Sequence, residues 1–317
     1  MASITSDAAL RRESTGPTRD FVGYGRRQPS IAWPGGRLLA VNLVVCYEEG
    51  AEYSLADGDP HSDGWGEYPL SAEAGVRDLG TESHFEYGSR VGIWRIARLL
   101  ERHGVPATIS ACAQALQRNL EVAAWLRGSG HDLLGHGLRW SEQWTLSRAE
   151  ERDQLHRSIA IFSELLGERP LGWNSRSYPS VNTRELLIEE GGFLYDSDPC
   201  NDDLPYYLPT PKGPLLVVPY SKTLNDSRYL ISPGYARPQD FVDNVRDYLD
   251  FILAEARELG GRMMTIAVHA RWTGQPNRAA ALLGIIEAVQ SRPEAVFMRR
   301  LDLARHWLTT CPAGQTG

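Results

Sequence analysis

Two adjacent carboxylates, Glu48 and Glu49, close the apolar run Leu43-Val44-Val45-Cys46-Tyr47 and stand just before Gly50. Acids placed side by side repel, so their pKa values should be pushed apart and one becomes a candidate general base. Other ionisable residues stand in the same relation to apolar runs. The run Asp132-Leu133-Leu134-Gly135 ends in His136, Phe193-Leu194-Tyr195 ends in Asp196-Ser197-Asp198, and Met263–Val268 ends in His269. Carboxylates and imidazoles gathered in one cleft can move protons to and from a hydrolysed bond. A solvated turn is the plain alternative for Glu-Glu-Gly, and a structural role is the plain alternative for any single histidine. Recurrence after four runs outweighs each alternative. The remaining histidines (His61, His84, His103, His131, His156, His306) fall in expected helices or loops and are read as structural.

Strands must carry these residues. Apolar runs predict strands over 38–46, 107–112, 132–135, 193–195, 215–218, 263–268 and 296–298. Between them, helical spacing predicts helices over 92–103, 181–190, 238–259, 279–289 and from 301 onward. A further helix opens at a Ser147/Glu150 capping box and continues through Leu155, Ile159, Phe162 and Leu166. Pro238 opens the longest helix and Gly260-Gly261 stops it. Strands alternating with helices predict an α/β fold around a mainly parallel sheet, and this many units would close a barrel. In such a barrel the C-terminal strand ends share one face, the face that carries chemistry. An extended strand would send Glu48 and Glu49 to opposite sides. With Gly50 free to bend the chain, both are expected to reach one cleft.

The chain has 317 residues, 42% hydrophobic and 23% charged, enough for one large domain. No internal repeat or linker follows residue 20, so residues 21–317 are expected to form one domain and residues 1–20 a loose tail or packing arm. A net charge of -7 disfavours nucleic acid and anionic membranes as partners, and no apolar run reaches the length of a membrane span. The polar N-terminus shows no secretory pattern, so a cytoplasmic location is expected. Four cysteines without a CxxC pair are expected to be reduced and partly buried. The N-terminal arm and exposed tryptophans such as Trp65 predict a homo-oligomer, a dimer or tetramer.

Several blocks resemble the polysaccharide deacetylase (NodB-homology) superfamily, in particular its allantoinase-like branch. They are GYGRRQPSIAWPGG with the VCYEEG strand end, EYGSRVGIWR, GHGLRW, PSVNTRELL, FLYDSDPCNDDLPYY and IAVHARWTGQPNR. The resemblance implies a distorted (β/α)7-type barrel that hydrolyses a non-peptide C–N bond. In metal-dependent members the first strand ends in two aspartates, a base and a metal ligand, and a His-x-x-x-His motif adds two ligands. Here Glu48 and Glu49 stand at the aspartate positions and His136 at the first histidine, but Trp140 stands at the second. The resemblance therefore implies a cofactor-free branch, with Glu49 and His136 the residual ligands for any weakly held divalent metal such as zinc. It assigns His269 to protonation of the leaving nitrogen and Arg176 to the motif arginine.

Together these observations predict a hydrolase of a small amide or a cyclic ureide or imide. Glu48 is the expected general base and His269 the general acid. Glu49 and His136 are expected to orient water, and Arg176 to steady substrate or oxyanion. Trp140, Tyr47 and Asp198 are expected to contact substrate. The rivals are a metal-dependent N-deacetylase of polysaccharide or peptidoglycan and a non-catalytic barrel that binds a small ligand.

Overall fold

The longest strand, β1 (Leu39–Tyr47), is buried along its whole length. A strand buried on both faces needs no polar alternation, which is why this run reads as continuously apolar. One edge pairs in parallel with β8 (Arg262–His269), register Leu39 with Arg262 through Cys46 with His269. The other edge is shared. Its first part pairs with β9 (Ala295–Phe297) and its last part with β2 (Thr108–Ala111). Asn42 sits at the fork, and its side-chain amide donates to the Met298 carbonyl (2.9 Å) and the Thr108 hydroxyl (3.0 Å).

From β2 the sheet continues through β3 (Asp132–Gly135), β4 (Gly172–Trp173), β5 (Tyr195–Asp196) and β7 (Leu215–Val217), all parallel. The edge strand β6 (Tyr206–Leu208) alone is antiparallel. Irregular backbone spans the gap between β7 and β8. Asn225 forms a bridge to Ala267, whose amide donates to the Leu224 carbonyl (2.9 Å). The result is a distorted (β/α) barrel, as the alternation predicted.

The fully buried Arg300 draws this gap together from inside. Its guanidinium donates to Asn42 Oδ1 (2.8 Å) and Thr265 Oγ1 (3.2 Å), to the Val218 carbonyl (3.0 Å), and to the Pro219 carbonyl and Ser197 Oγ. Each donor thus meets a neutral acceptor, which offsets the cost of burying the charge.

The expected capping box at Ser147 is formed and opens the helix Arg148–Leu166, and Pro238 opens Pro238–Leu259. A helix over Leu79–Tyr87 runs through one π-helical turn, Gly88–Gly92, into Ile93–His103. That turn presses on the barrel mouth. A Cβ on Gly88 would stand 2.6 Å from Glu49 Oε1, and one on Gly92 would run into the Ala270 carbonyl oxygen. Both glycines are required by close approach.

This computed structural model describes residues 16–69 and 71–314, so residues 1–15 of the expected tail lie outside the described residues. Among the described residues no helix is long and apolar enough to cross a membrane. The four cysteines are free, three of them buried.

Candidate active site

Glu48 follows the last residue of β1 and is almost completely buried. Its Oε2 accepts from Arg271 NH1 at 2.6 Å. Its Oε1 lies 3.3 Å from His136 Nε2 and 3.5 Å from His269 Nε2. Three strand ends, those of β1, β3 and β8, thus converge on one carboxylate. Burial acts to raise the pKa of Glu48, but His269 and Arg271 beside it hold it well below the ordinary carboxylate value. It is the ionised centre of the mouth.

Both histidines are oriented from behind. His136 Nδ1 meets the Asn174 carbonyl at 2.6 Å, which places the proton on Nδ1 and turns Nε2 toward Glu48. His269 Nδ1 lies 2.6 Å from Asp226 Oδ1. Asp226 also accepts from the His269 amide (2.8 Å) and the Thr273 hydroxyl (2.6 Å) through Oδ2. Burial acts to lower the pKa of His269, yet its interactions with Cys46 and with the carboxylates of Glu48 and Asp226 lift it well above the ordinary histidine value. Imidazolium and carboxylate therefore face each other at rest.

Glu49 corrects an expectation. Its side chain points away from Glu48, accepting from the Arg271 amide (3.0 Å) and the Glu48 amide (2.9 Å). Strand alternation won over the freedom of Gly50, so only one of the two acids reaches the cleft. Burial first, and the Glu48 charge in addition, push the Glu49 pKa up to about 7, against the pull of Arg271. The two acids do titrate apart, as expected of neighbours. Glu49 is a buried brace and does not orient water.

Arg176 is also displaced from its expected role. It is buried, paired with Asp63 at 2.9 Å and Glu142 at 3.4 Å, and donates to the Trp140 carbonyl at 2.6 Å. Its guanidinium stacks 3.8 Å from the Trp140 ring. It holds the tryptophan wall in place and does not face the cavity. The arginine that touches the acid is Arg271, packed among Phe85, Trp140 and Trp272. The sequence motif contained it, next but one after His269, but nothing in its type distinguished it from a surface arginine. Asp226 was missed as well, because it reaches His269 across 43 residues from a short 3-10 turn, Asp226–Tyr229.

These groups line a cavity of about 340 Å³. Trp65, Trp140, Tyr220 and Trp272 wall it, and Asp198 faces it. Trp65 is therefore a cavity wall and not the exposed tryptophan expected. Asp198 accepts from the Ser175 amide (2.5 Å) and hydroxyl (3.1 Å), and burial and Asp196 raise its pKa to about 8. Tyr47 lies outside the cavity. It is fully buried, and its hydroxyl meets Ser89 Oγ at 2.8 Å, so substrate contact is not its role.

The ligand set inferred from the resemblance does not assemble. Glu49 is turned to Arg271, and Trp140 stands where a second histidine would be needed. A different donor group exists: ligand atoms of Cys46, Glu48 and His269 lie within 4.8 Å of one another. Sulfur, oxygen and nitrogen donors suit a divalent cation such as zinc by type, but burial pushes the Cys46 thiol pKa up and His269 is held protonated, so both would have to give up a proton to ligate one.

The mouth of this parallel barrel thus sets a carboxylate against an imidazolium, an arrangement able to take and give protons. The polysaccharide deacetylase family profile matches residues 82–185. A Schizosaccharomyces pombe (strain 972 / ATCC 24843) protein bearing the name polysaccharide deacetylase is 33% identical over 321 residues, 93% of this chain and 98% of its own. The chain belongs to the polysaccharide deacetylase family, hydrolases of amide C–N bonds other than peptide bonds. Among solved structures, Puue allantoinase is similar at 41% identity with a TM-score of 0.89, covering 93% of this chain and 99% of its own. A Pseudomonas aeruginosa PAO1 structure described as a polysaccharide deacetylase is similar at 39% identity, also with a TM-score of 0.89 and the same coverage.

Proposed function

We propose that this protein opens a small cyclic ureide or imide, or cleaves a small linear amide, in the manner of an allantoinase. The observation that carries the reading is the Glu48–His269 pair facing a cavity of about 340 Å³ walled by tryptophans, a volume suited to one small ring and not to a polymer chain. Similarity to Puue allantoinase over nearly the whole chain supports it.

In this mechanism water sits between Glu48 and the substrate carbonyl, steadied by His136. Glu48 takes one proton from it as the oxygen bonds to the carbonyl carbon. The tetrahedral adduct then collapses, the C–N bond breaks, and the nitrogen leaves with the proton of His269. Asp226 holds the imidazole in the donating orientation, and Arg271 holds Glu48 ionised. A divalent cation held by Cys46, Glu48 and His269 would occupy both the base and the acid of this mechanism, so it belongs to the metal-dependent reading below, where it would supply Lewis-acid chemistry.

Family membership favours a second reading, a metal-dependent deacetylase of N-acetylated sugars. Incubation with allantoin, cyclic imides and N-acetylated chito-oligosaccharides, with and without chelator, separates the two by proton NMR. The first reading expects chelator-resistant ring opening without acetate. Acetate release that stops on chelation would assign the second. Glu48→Gln should cost roughly 10²–10⁴-fold in kcat while the protein stays folded, and full activity in that variant would refute the mechanism.

A further inference from the structure

The cavity rim carries two cations that the hydrolytic pair does not use. Arg228 and Lys222 both line the cavity. Arg228 sits on the 3-10 turn that also holds Asp226, yet that carboxylate is already taken by His269 and Thr273. Among the described residues the Arg228 guanidinium has no hydrogen bond and no carboxylate partner. Lys222 donates only to the backbone carbonyl of Ser177. The two carboxylates that line the same cavity are engaged elsewhere, Glu48 by Arg271 and Asp198 by Ser175. Elsewhere on this protein arginines are commonly paired with acids, as Arg139 is with Asp59, Arg169 with Glu190 and Arg278 with Glu67. A fork of five donors and an ammonium left unneutralised over one small cavity await an anion from outside.

We propose that Arg228 and Lys222 bind a carboxylate on the substrate, so that the protein selects an anionic amide or ureide over its neutral counterpart. The inference rests on Glu48 and His269 being the hydrolytic pair. It adds that the end of the substrate remote from the scissile bond carries negative charge. The carboxylate would hold the ring or chain with its C–N bond toward Glu48, and the binding energy of that remote group would be used for orientation.

Hydantoin-5-acetate and hydantoin-5-acetamide differ only in that charge and make a matched pair of probes. Calorimetric titration of the full chain in an inactive Glu48→Gln background, with His269→Gln as a second inactive background, reads binding without turnover. The acetate form should bind about tenfold or more tightly than the amide, and the preference should weaken with added salt. Arg228→Glu and Lys222→Glu should each abolish or invert it. Lys222 is exposed and Arg228 has no buried partner to lose, so neither change threatens the fold. Equal binding of the two probes, no binding of the acetate form, or indifference to both charge reversals would overturn the proposal. Wild-type turnover of both probes separates the two claims. Ring opening with charge-blind binding sinks the anion site alone, whereas charge-selective binding with neither ring opened sinks the ring-opening reading and leaves the anion site standing.

Discussion

His269 carries its proton at rest because Asp226 stands behind it and Glu48 in front. The mouth therefore already holds the two protonation states that hydrolysis needs. The signs are opposite for the two groups. Glu48 must be ionised, so activity falls as pH drops through a pKa held below the ordinary 4.5. His269 must be protonated, so activity falls as pH rises through a pKa lifted above the ordinary 6.5. A plateau between those limits is expected in kcat against pH. Asp226→Asn removes one anion that raises His269, so the alkaline limb should move to lower pH and kcat should fall roughly 10²-fold or more. An unchanged alkaline limb would show that Asp226 does not govern the proton. The buried acids Glu49 and Glu52, both pushed up to about 7, and Asp198 at about 8 make a separate prediction for stability. Their folded-state pKa values lie above the unfolded ones, so the folded state binds more protons and stability declines as pH rises from about 5 to 8. Calorimetric melting across that range should show Tm decreasing. A rising Tm would mean that these carboxyls are paired as anions.

At the scale of elements, the π-helical turn does for Glu49 what the strand ends do for Glu48. Gly92 admits the Ala270 carbonyl at a distance no side chain allows, so Gly92→Ala must push the helix Ile93–His103 away from the mouth. The expected cost is about 1–3 kcal/mol of stability, measured by urea denaturation, with activity reduced alongside. An unaffected midpoint would show that the turn yields freely. Long elements were legible in the sequence because they repeat a period many times, as in β1, β8 and Pro238–Leu259. The two-residue strand Gly172–Trp173 is too short to show a period, and β6 (Tyr206–Leu208) follows an acid- and proline-rich stretch with no apolar run to mark it. Within the site, Glu48, His136 and His269 were readable as the residues that follow apolar runs. Arg271 and Asp226 were not, because their importance arises from contacts made only once distant segments meet. Glu49 departs from the expectation because the alternation of β1 persists to its end and outweighs the freedom of Gly50.

Over the whole molecule, the largest exposed apolar side chains near the N-terminus are Phe21 and Val22, each 79% exposed. They border an open groove of about 730 Å³ lined also by Tyr24, Tyr206 and Tyr207. We propose that the segment around Phe21 and Val22 packs on a second copy, giving a homo-oligomer. Light scattering should then report a multiple of 35.3 kDa, and Phe21→Asp with Val22→Asp should shift it toward one copy; a monomeric wild type would end the idea. The fork at Asn42 has a further consequence. The first strand of the barrel takes one whole edge from residues 262–269 and part of the other from 295–297, more than 200 residues later. While the ribosome is still at work, β1 has already emerged without those partners. Eight of its residues, Leu39 to Cys46, keep that edge unpaired until residues 262–269 have been made. A chain cut short before residues 262–297 cannot close the barrel at all, and it presents to the cell an adhesive strand where the folded barrel has its core.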